Sequence, residues 1–327
     1  MGRMVNGRWE RGNTSDRGPG QAGVPTEEGH FVRPETTFRN FIVPGGEFPP
    51  ESGRYHLYIS WACPWAHRTL IFRKLKGLEA HIGLSATHWL MGEEGWTFDV
   101  AEGVIPDPLG AHALHEVYSR ADPGYTGRVN VPVLYDLRTN RIVSNESADI
   151  IRMFNSAFDQ VGAAAGDYYP EALRGEIDAL NERIYATVNN GVYRAGFATT
   201  QQAYDAAVAA LFETLDWLEE RLSASRFLCG ETLTEADWRL FTTLIRFDAV
   251  YYIHFMCNIR ALADYPALWD YTKRLLEVPG VAETVNLDHI KRHYYLSHPW
   301  IDPTGIVPLD FEKDVALLAK SYGASSR

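Results

Sequence analysis

The sequence is poor in cysteine and has no long apolar run, and each shortage excludes a class of protein. Its 327 residues contain three cysteines, Cys63, Cys229 and Cys257. An odd and low cysteine count, with no apolar signal segment near the N-terminus, argues against a disulfide framework and favours a cytoplasmic, reducing environment. No apolar stretch approaches the roughly 20 residues that cross a bilayer, so we expect no membrane segment.

Dense clusters of basic residues are also missing. The chain has 31 Lys and Arg residues against 42 Asp and Glu residues, which gives a formal net charge of −11. Binding along a phosphate backbone needs clustered Lys and Arg side chains. The densest basic cluster here is Arg73-Lys74-Leu75-Lys76. We therefore expect no nucleic-acid partner.

Metal-binding motifs are absent as well, although several histidines lie close together in the sequence. His112 and His115 are three residues apart, and His289, His293 and His298 cluster near the C-terminus. No His-Glu-x-x-His or Cys-x-x-Cys motif accompanies them, so we expect no metal site.

Composition and periodicity divide the chain into four parts, and its length is typical of two domains. Residues 1–50 are rich in Gly, Pro and charge and predict an extended arm. Residues 51–160 predict an α/β domain with a long irregular insertion at about 91–127. Residues 161–298 predict an all-helical domain, and 299–327 predict an irregular tail.

The α/β domain has the element order of a thioredoxin-like layer. Before the insertion, the order is a strand, a helix with Pro64 in its first turn, and a second strand. After the insertion, the order is two strands joined by a turn at Thr139-Asn140, and then a helix. The six elements are predicted at 55–60, 63–72, 81–87, 129–135, 141–144 and 147–154.

The all-helical domain shows helical periodicity. One apolar helix face is formed by leucines that recur at steps of four, three and four, at Leu211, Leu215, Leu218 and Leu222. Thr234 and Asp237 open a later helix as a variant of the capping box. The predicted fold class is therefore α/β plus all-α, with an N-terminal thioredoxin-like domain followed by a C-terminal all-helical domain.

Cys63 is the candidate nucleophile, because it stands between a predicted strand and a predicted helix. A thiolate at a helix N-terminus is stabilised by the helix dipole and by free backbone N–H groups. Such a position lowers a thiol pKa from about 8.5 into the range of about 3.5–7.5. A buried, inert thiol is the alternative for Cys63. Cys229 and Cys257 lie in apolar helical segments, and for them a buried, inert thiol is the favoured interpretation.

The segment Cys63-Pro64-Trp65-Ala66 lacks the second thiol of a Cys-x-x-Cys pair, because its fourth residue is alanine. A disulfide formed at Cys63 therefore has no thiol in the same motif that could resolve it. A thiol from solution is the simplest substitute, and glutathione is the obvious cytosolic candidate.

Two further segments favour a glutathione site. A cis bond at Val131-Pro132 would free the Val131 backbone to pair with an extended peptide; an edge-strand proline without a ligand is the alternative. Glu146 and Ser147 open the last helix of the α/β domain. Ser147 and the free N–H groups there suit a carboxylate, and Glu146 suits an amino group. An ordinary helix cap is the alternative.

With these residues in place, the chain resembles the Cys-dependent glutathione transferases, and most closely the glutathionyl-hydroquinone reductases, or xi class. The resemblance covers nearly the whole chain. It implies that the helical part is the C-terminal all-helical glutathione-transferase domain and that the protein forms a homodimer. The segments that carry it are Phe38-Arg39-Asn40-Phe41-Ile42, 61–68, His88-Trp89-Leu90-Met91-Gly92, Gly95-Trp96-Thr97-Phe98, 118–123, 127–134, Asn145-Glu146-Ser147 and 234–237.

The resemblance implies reductive removal of glutathione from a glutathionyl-hydroquinone, with glutathione as co-substrate and no metal, flavin or nicotinamide. Cys63 would attack the glutathione sulfur, and a second glutathione would restore the thiol. The residues implied to contact glutathione are Trp96, Arg128, Val131, Glu146 and Ser147. Tyrosines implied to lie over the quinol are Tyr193, Tyr252 and Tyr295.

Two other functions stay open. The first is a broader thiol transferase of the omega type, acting on dehydroascorbate or on protein mixed disulfides with the same cysteine chemistry. The second is a glutathione-binding protein without catalysis, which the presence of Cys63 before an intact helix disfavours.

Overall fold

The structure, a computed structural model, describes residues 2–12 and 24–309. Parts of the predicted arm and tail, 13–23 and 310–327, lie outside these residues. The described chain forms two compact units. The first contains 2–12, 33–166 and 284–305, and the second contains 24–32, 167–283 and 306–309.

Short strands and longer helices make up the described chain. The strands are β1 (Arg3–Val5), β2 (Arg8–Glu10), β3 (Val24–Pro25), β4 (Phe31–Val32), β5 (Tyr55–Ile59), β6 (Ile82–Ala86), β7 (Val133–Asp136) and β8 (Arg141–Ser144). The helices are α1 (Pro64–Leu75), α2 (Leu114–Ala121), α3 (Ser147–Ser156), α4 (Arg174–Ile184), α5 (Gly191–Gly196), α6 (Gln201–Ala224), α7 (Glu235–Leu244), α8 (Tyr252–His254), α9 (Pro266–Leu276) and α10 (Leu287–Ser297). Among the residues described, no helix is both long enough and apolar enough to cross a membrane.

A four-stranded mixed sheet in the order β6-β5-β7-β8 forms the centre of the first unit. Strand β5 runs parallel to β6 and antiparallel to β7, and β7 pairs antiparallel with β8. All five residues of β5 are buried, which is typical of a central strand covered on both faces. This is the predicted thioredoxin-like order, β-α-β followed by β-β-α.

The hairpin between β7 and β8 turns at the predicted Thr139-Asn140 pair. Asn140 has φ 53°, in the left-handed region that asparagine tolerates better than most residues. Thr139 Oγ1 donates a hydrogen bond of 2.8 Å to Asp136 Oδ2, which fixes the start of the turn. The prediction of a hairpin is confirmed.

Two predictions for the α/β domain were wrong in extent. The third strand was predicted at 129–135 but begins at Val133, because Pro132 has no N–H to donate to a ladder. The insertion at 91–127 was predicted to be irregular but contains α2. Leu114, Val117 and Tyr118 recur at helical spacing and are all buried, so this helix covers an apolar stripe.

The C-terminal boundary of the predicted helical domain also differs from the structure. The domain was predicted to reach residue 298, whereas residues 284–305, with α10, belong to the first unit. The physical reason is a row of hydrogen bonds from α10 to residues 89–102, at the start of the insertion, such as His293 Nδ1 to Trp89 O at 2.9 Å. Side-chain periodicity along α10 could not reveal that partner.

The second unit is a helical bundle that contains α4 to α9. The four leucines of the predicted apolar face are all buried in α6. At the start of α7, Asp237 Oδ2 accepts a 2.8 Å hydrogen bond from the Thr234 N–H, as the predicted capping box requires. Two π-helical turns, Tyr185–Asn189 and Phe247–Tyr251, interrupt the bundle immediately before α5 and α8.

Candidate active site

Cys63 is the N-cap of α1, and Pro64 is the first helical residue, as the sequence predicted. The Cys63 N–H donates to Ser60 O at 3.1 Å, and the Cys63 carbonyl accepts from the His67 N–H at 3.0 Å. The side chain is half-buried, and the first turn of α1 contains no acidic residue. The thiol therefore lies at the positive end of the helix dipole, and that turn brings no carboxylate to oppose it.

The Val131-Pro132 peptide lies directly beside the thiol. It is cis, as predicted, and Cys63 Sγ is 3.6 Å from the carbonyl oxygen of Val131. The two residues precede β7, so they lie at the end of a central strand of the sheet. The sheet and α1 thus place a backbone segment next to the sulfur.

Glu146 and Ser147 lie at the start of α3, where Ser147 Oγ donates a hydrogen bond of 3.4 Å to Glu146 Oε1. Glu146 is the N-cap, and its Oε1 accepts from the Ala148 N–H at 3.0 Å. Ser147 Oγ accepts from Arg68 Nη1 at 3.4 Å, and Thr36 Oγ1 donates to Glu146 Oε2 at 3.2 Å. A helix cap, the alternative kept open above, therefore describes Glu146. A role in glutathione binding stays a prediction for both residues.

Trp96 and Arg128 lie in the insertion and directly after it. The indole of Trp96 is 6% exposed and stacks on the imidazole of His293, with ring centroids 4.8 Å apart and planes 27° apart. Arg128 is half-buried, and its Nη2 donates to Pro34 O at 2.7 Å. The guanidinium is thus held by the backbone of the arm, and its contact with glutathione stays a prediction.

The three predicted quinol tyrosines are divided between the two units. Tyr295 lies on α10 in the first unit, and burial, with a smaller contribution from Asp302, raises the pKa of its phenol. Tyr193, on α5, and Tyr252, at the start of α8, lie in the second unit. Tyr193 is buried among aromatic rings and Tyr252 is half-buried. Their role over a quinol stays a prediction.

The other two cysteines have the environment of core residues. Cys229 and Cys257 are buried, and neither they nor Cys63 form a disulfide. Desolvation raises the pKa of the Cys229 thiol to about 11 and also raises that of Cys257. Both thiols stay protonated at neutral pH and are poor nucleophiles, so Cys63 is the thiol suited to chemistry.

Sequence reasoning assigned no role to Tyr118, which holds the loop before the cis bond. Its hydroxyl donates to Asn130 O at 2.8 Å and accepts from Asn145 Nδ2 at 3.2 Å. Tyr118 is fully buried, and desolvation raises its pKa, so the phenol keeps the proton that it donates. The helical spacing of α2 inside the insertion was the signal that could have identified it.

The clustered histidines of α10 make backbone contacts. His289 Nε2 and His293 Nδ1 lie 2.7 Å and 2.9 Å from the carbonyl oxygens of Glu102 and Trp89. Among the residues that the structure describes, no group of three or more potential metal ligands comes together.

Comparison with known proteins identifies both parts of the fold. The family model for the N-terminal domain of glutathione S-transferase matches residues 62–157, and the model for the C-terminal domain matches residues 201–274. Glutathionyl-hydroquinone reductase PcpF of Sphingobium chlorophenolicum is 53% identical over 310 residues, which are 94% of this chain and 96% of that protein.

Solved structures agree over nearly the whole chain. The glutathione-bound structure of YqjG, a glutathione transferase homologue of Escherichia coli K-12, superposes with a TM-score of 0.85 at 49% identity. That match covers 96% of this chain and 97% of that one. The glutathione-S-transferase Xi of Phanerochaete chrysosporium superposes with a TM-score of 0.87 at 48% identity, over 90% of this chain and 98% of that one. The chain therefore belongs to the xi class of glutathione transferases, the family of the glutathionyl-hydroquinone reductases.

Proposed function

We propose that this enzyme reduces glutathionyl-hydroquinones to hydroquinones through a mixed disulfide between Cys63 and glutathione. The observation that carries the proposal is the half-buried Cys63 thiol at the N-terminus of α1, with Ala66 in place of a second cysteine. The name of PcpF, glutathionyl-hydroquinone reductase, supports the same substrate at 53% identity.

In the first half of the cycle, the Cys63 thiolate attacks the sulfur of the glutathionyl group. A Cys63–glutathione disulfide forms while the bond between that sulfur and the aryl carbon breaks. The electron pair of the broken bond stays on the ring carbon, which takes up a proton, and the free hydroquinone leaves. The two sulfurs are oxidised and the aryl carbon is reduced by two electrons.

In the second half, the thiolate of a second glutathione attacks the glutathione sulfur of the mixed disulfide. Oxidised glutathione leaves, and Cys63 returns as a thiolate. An external thiol is needed here because α1 has an alanine, Ala66, where a Cys-x-x-Cys enzyme has its resolving cysteine. The sum is one aryl thioether and one thiol converted into one hydroquinone and one disulfide.

Glutathione would bind along the edge formed by the cis loop and the start of α3. The Val131 backbone would pair with the peptide, and Ser147 and Glu146 would receive its γ-glutamyl end. Arg128 suits a carboxylate because a guanidinium offers paired donors. The indole of Trp96 would cover one side of the bound tripeptide.

Tyr193, Tyr252 and Tyr295 would contact the quinol. A neutral phenol can donate a hydrogen bond to a ring oxygen and can supply a proton to the ring carbon as the thioether breaks. The raised pKa of Tyr295 keeps its hydroxyl protonated at neutral pH, which supports the role of donor.

The proposal is tested by turnover of a glutathionyl-hydroquinone with excess glutathione. We expect wild type to release hydroquinone and oxidised glutathione in equal amounts and Cys63→Ala to release neither. Cys229→Ala is the matched control, because it removes a buried thiol of raised pKa and should keep turnover near the wild-type rate. Turnover that persists in Cys63→Ala, or is absent from folded wild type, would refute the proposal.

A thiol transferase of the omega type is the second candidate. It is favoured by one relative, the glutathione S-transferase omega-like 2 of Schizosaccharomyces pombe, which is 50% identical over 294 residues. The same cysteine chemistry at Cys63 would then act on dehydroascorbate or on protein mixed disulfides. Reduction of dehydroascorbate by wild type, at a rate above that with a glutathionyl-hydroquinone, would favour this candidate.

A further inference from the structure

Helix α10 presents one row of polar side chains to residues 89–102, at the start of the insertion. His289, His293 and Ser297 follow one another at steps of four, so they share a single helix face. All three are more than nine-tenths buried. Asn286 caps the helix by accepting the His289 N–H at 2.9 Å, which fixes where this row begins.

Each member of the row bonds to the backbone between residues 89 and 102. His289 Nε2 bonds to Glu102 O at 2.7 Å and His293 Nδ1 to Trp89 O at 2.9 Å, and Ser297 Oγ accepts from the Met91 N–H at 3.0 Å. Because a carbonyl oxygen only accepts, the bonded nitrogen of each histidine carries the proton. The row therefore clamps both ends of the segment that contains Trp96.

His293 also makes a second contact, to the Trp96 ring itself. The two rings stack 4.8 Å apart and nearly parallel, while the Trp96 carbonyl accepts the Leu114 N–H at 2.8 Å. The backbone bond fixes the main chain at Trp96 but not the two torsions of its buried side chain. The flat imidazole, itself oriented by Trp89 O, supports one face of the indole and helps to set those torsions.

We propose that His293 is a positioning residue that orients Trp96 for contact with glutathione, an inference that rests on the role of Trp96 in the proposed function. His293 acts through two separable contacts, the bond from Nδ1 to Trp89 and the stack on Trp96. Neither contact involves the thiol of Cys63, so glutathione binding should suffer more than the chemical step.

The test is equilibrium binding of reduced glutathione by calorimetry, with Cys63→Ser in every protein so that no mixed disulfide forms. We expect His293→Ala to raise Kd by about three- to tenfold, the range that corresponds to the loss of one aromatic pair. His293→Phe keeps a flat ring without the bond to Trp89, and His293→Asn keeps a donor without the stack. Each should raise Kd less than alanine does.

A double-mutant cycle separates positioning from general damage. In a Trp96→Ala background, His293→Ala should raise Kd no further, because the ring that it orients is gone. His112→Ala is the matched control, since this exposed histidine lies in the same insertion and should leave Kd unchanged. If His293→Ala fails to fold, the Phe and Asn variants decide by the same cycle.

Two results would overturn the inference. One is an unchanged Kd in the His293 variants, and the other is a rise of the same size with and without Trp96. Because binding is measured without a quinol, these results are independent of turnover. Failure of wild type to release hydroquinone would reject the proposed function instead.

Discussion

His56 is a buried titratable side chain on the central strand β5. Its Nε2 lies 2.7 Å from Ser85 Oγ, which donates its own proton to Pro106 O, so the imidazole nitrogen is the donor. Gly83 leaves room for the ring, because a Cβ there would lie 2.3 Å from His56 Nδ1. Desolvation lowers the pKa of His56 from 6.5 to about 4.

We expect this histidine to reduce the stability of the fold as the pH falls from 6.5 towards 4. In that window the unfolded chain binds a proton at His56 and the folded chain does not, so protonation favours unfolding. The full effect is at most about 3 kcal/mol in the free energy of unfolding. Denaturant unfolding at several pH values should show a flatter acid limb for His56→Gln, which keeps a neutral donor for Ser85.

Asp107 is a second buried titratable group, and it should affect stability only below the pH window in which His56 acts. Burial opposes its ionisation, but hydrogen bonds from Tyr58 and the Ala111 N–H, and the charge of Arg120, outweigh burial and hold its pKa below 3.8. The stability that it adds is present above pH 3.8 and is lost only at lower pH, as the carboxylate protonates. Identical acid limbs for wild type and His56→Gln between pH 6.5 and 4 would contradict the assignment to His56.

At the scale of the element, α7 depends on one buried carboxylate. Asp237 accepts hydrogen bonds from the N–H groups of Leu228 and Thr234 and from the hydroxyl of Tyr271, at 2.8–2.9 Å. The Thr234 hydroxyl also donates to Asp237, at 3.1 Å. The carboxylate is fully buried, so removing it leaves four donors without their acceptor. The cap therefore joins α7 both to the loop before it and to α9.

We expect Asp237→Ala to lower the free energy of unfolding by about 3 kcal/mol or more, because a buried hydrogen-bond network is broken. Thr234→Ala, which removes only the capping hydroxyl, should cost about 1 kcal/mol. Asp270→Ala is the control, since that carboxylate is 62% exposed on α9. Denaturant unfolding measures all three, and equal midpoints for Asp237→Ala and Asp270→Ala would refute the expectation.

Sequence reasoning succeeded for elements whose pattern is local. The buried run at Tyr55–Ile59, the Cys63-Pro64 helix start and the capping of α7 each depend on neighbouring residues, and each is confirmed. The place of α10 in the first unit depends on contacts more than 180 residues apart, such as that from His289 to Glu102. No periodicity records such a partner.

In the candidate site, too, features set by neighbouring residues could be predicted and features set by distant contacts could not. The position of Cys63 could be predicted, because a cysteine at a helix start has a distinctive chemistry. The cis bond at Val131-Pro132 was considered only within the assumed thioredoxin-like fold, since most X–Pro bonds are trans. The support of Trp96 by His293 could not be predicted, since a histidine on a helix is equally suited to solvent, core or metal. The two π-helical turns before α5 and α8 were also missed, because one extra residue in a turn leaves little trace in composition.

At the scale of the whole molecule, the first unit is assembled from three separate stretches of sequence. The strand β1 near the N-terminus pairs with the end of the insertion, where Met4 N donates to Gly127 O at 2.8 Å. The last described helix, α10, holds residues 89–102, at the start of the insertion. Strand β1 and α10 therefore stabilise opposite ends of the insertion.

We expect the protein to be a homodimer, as the family resemblance implies. The chain has a mass of 36.9 kDa, so light scattering after size-exclusion chromatography should give twice this value over a range of concentrations. A mass of 36.9 kDa at every concentration would refute the prediction. The net charge of −11 makes moderate salt advisable, since it screens repulsion between like-charged copies.

Because residue 66 is alanine, the form in which Cys63 is held depends on the supply of reduced glutathione. When reduced glutathione becomes scarce, the second half of the proposed cycle stalls and Cys63 remains capped by glutathione. A cysteine capped in this way is protected from irreversible conversion to sulfinic or sulfonic acid. Oxidative stress would thus pause the enzyme in a recoverable form, and activity would resume as the glutathione pool recovers.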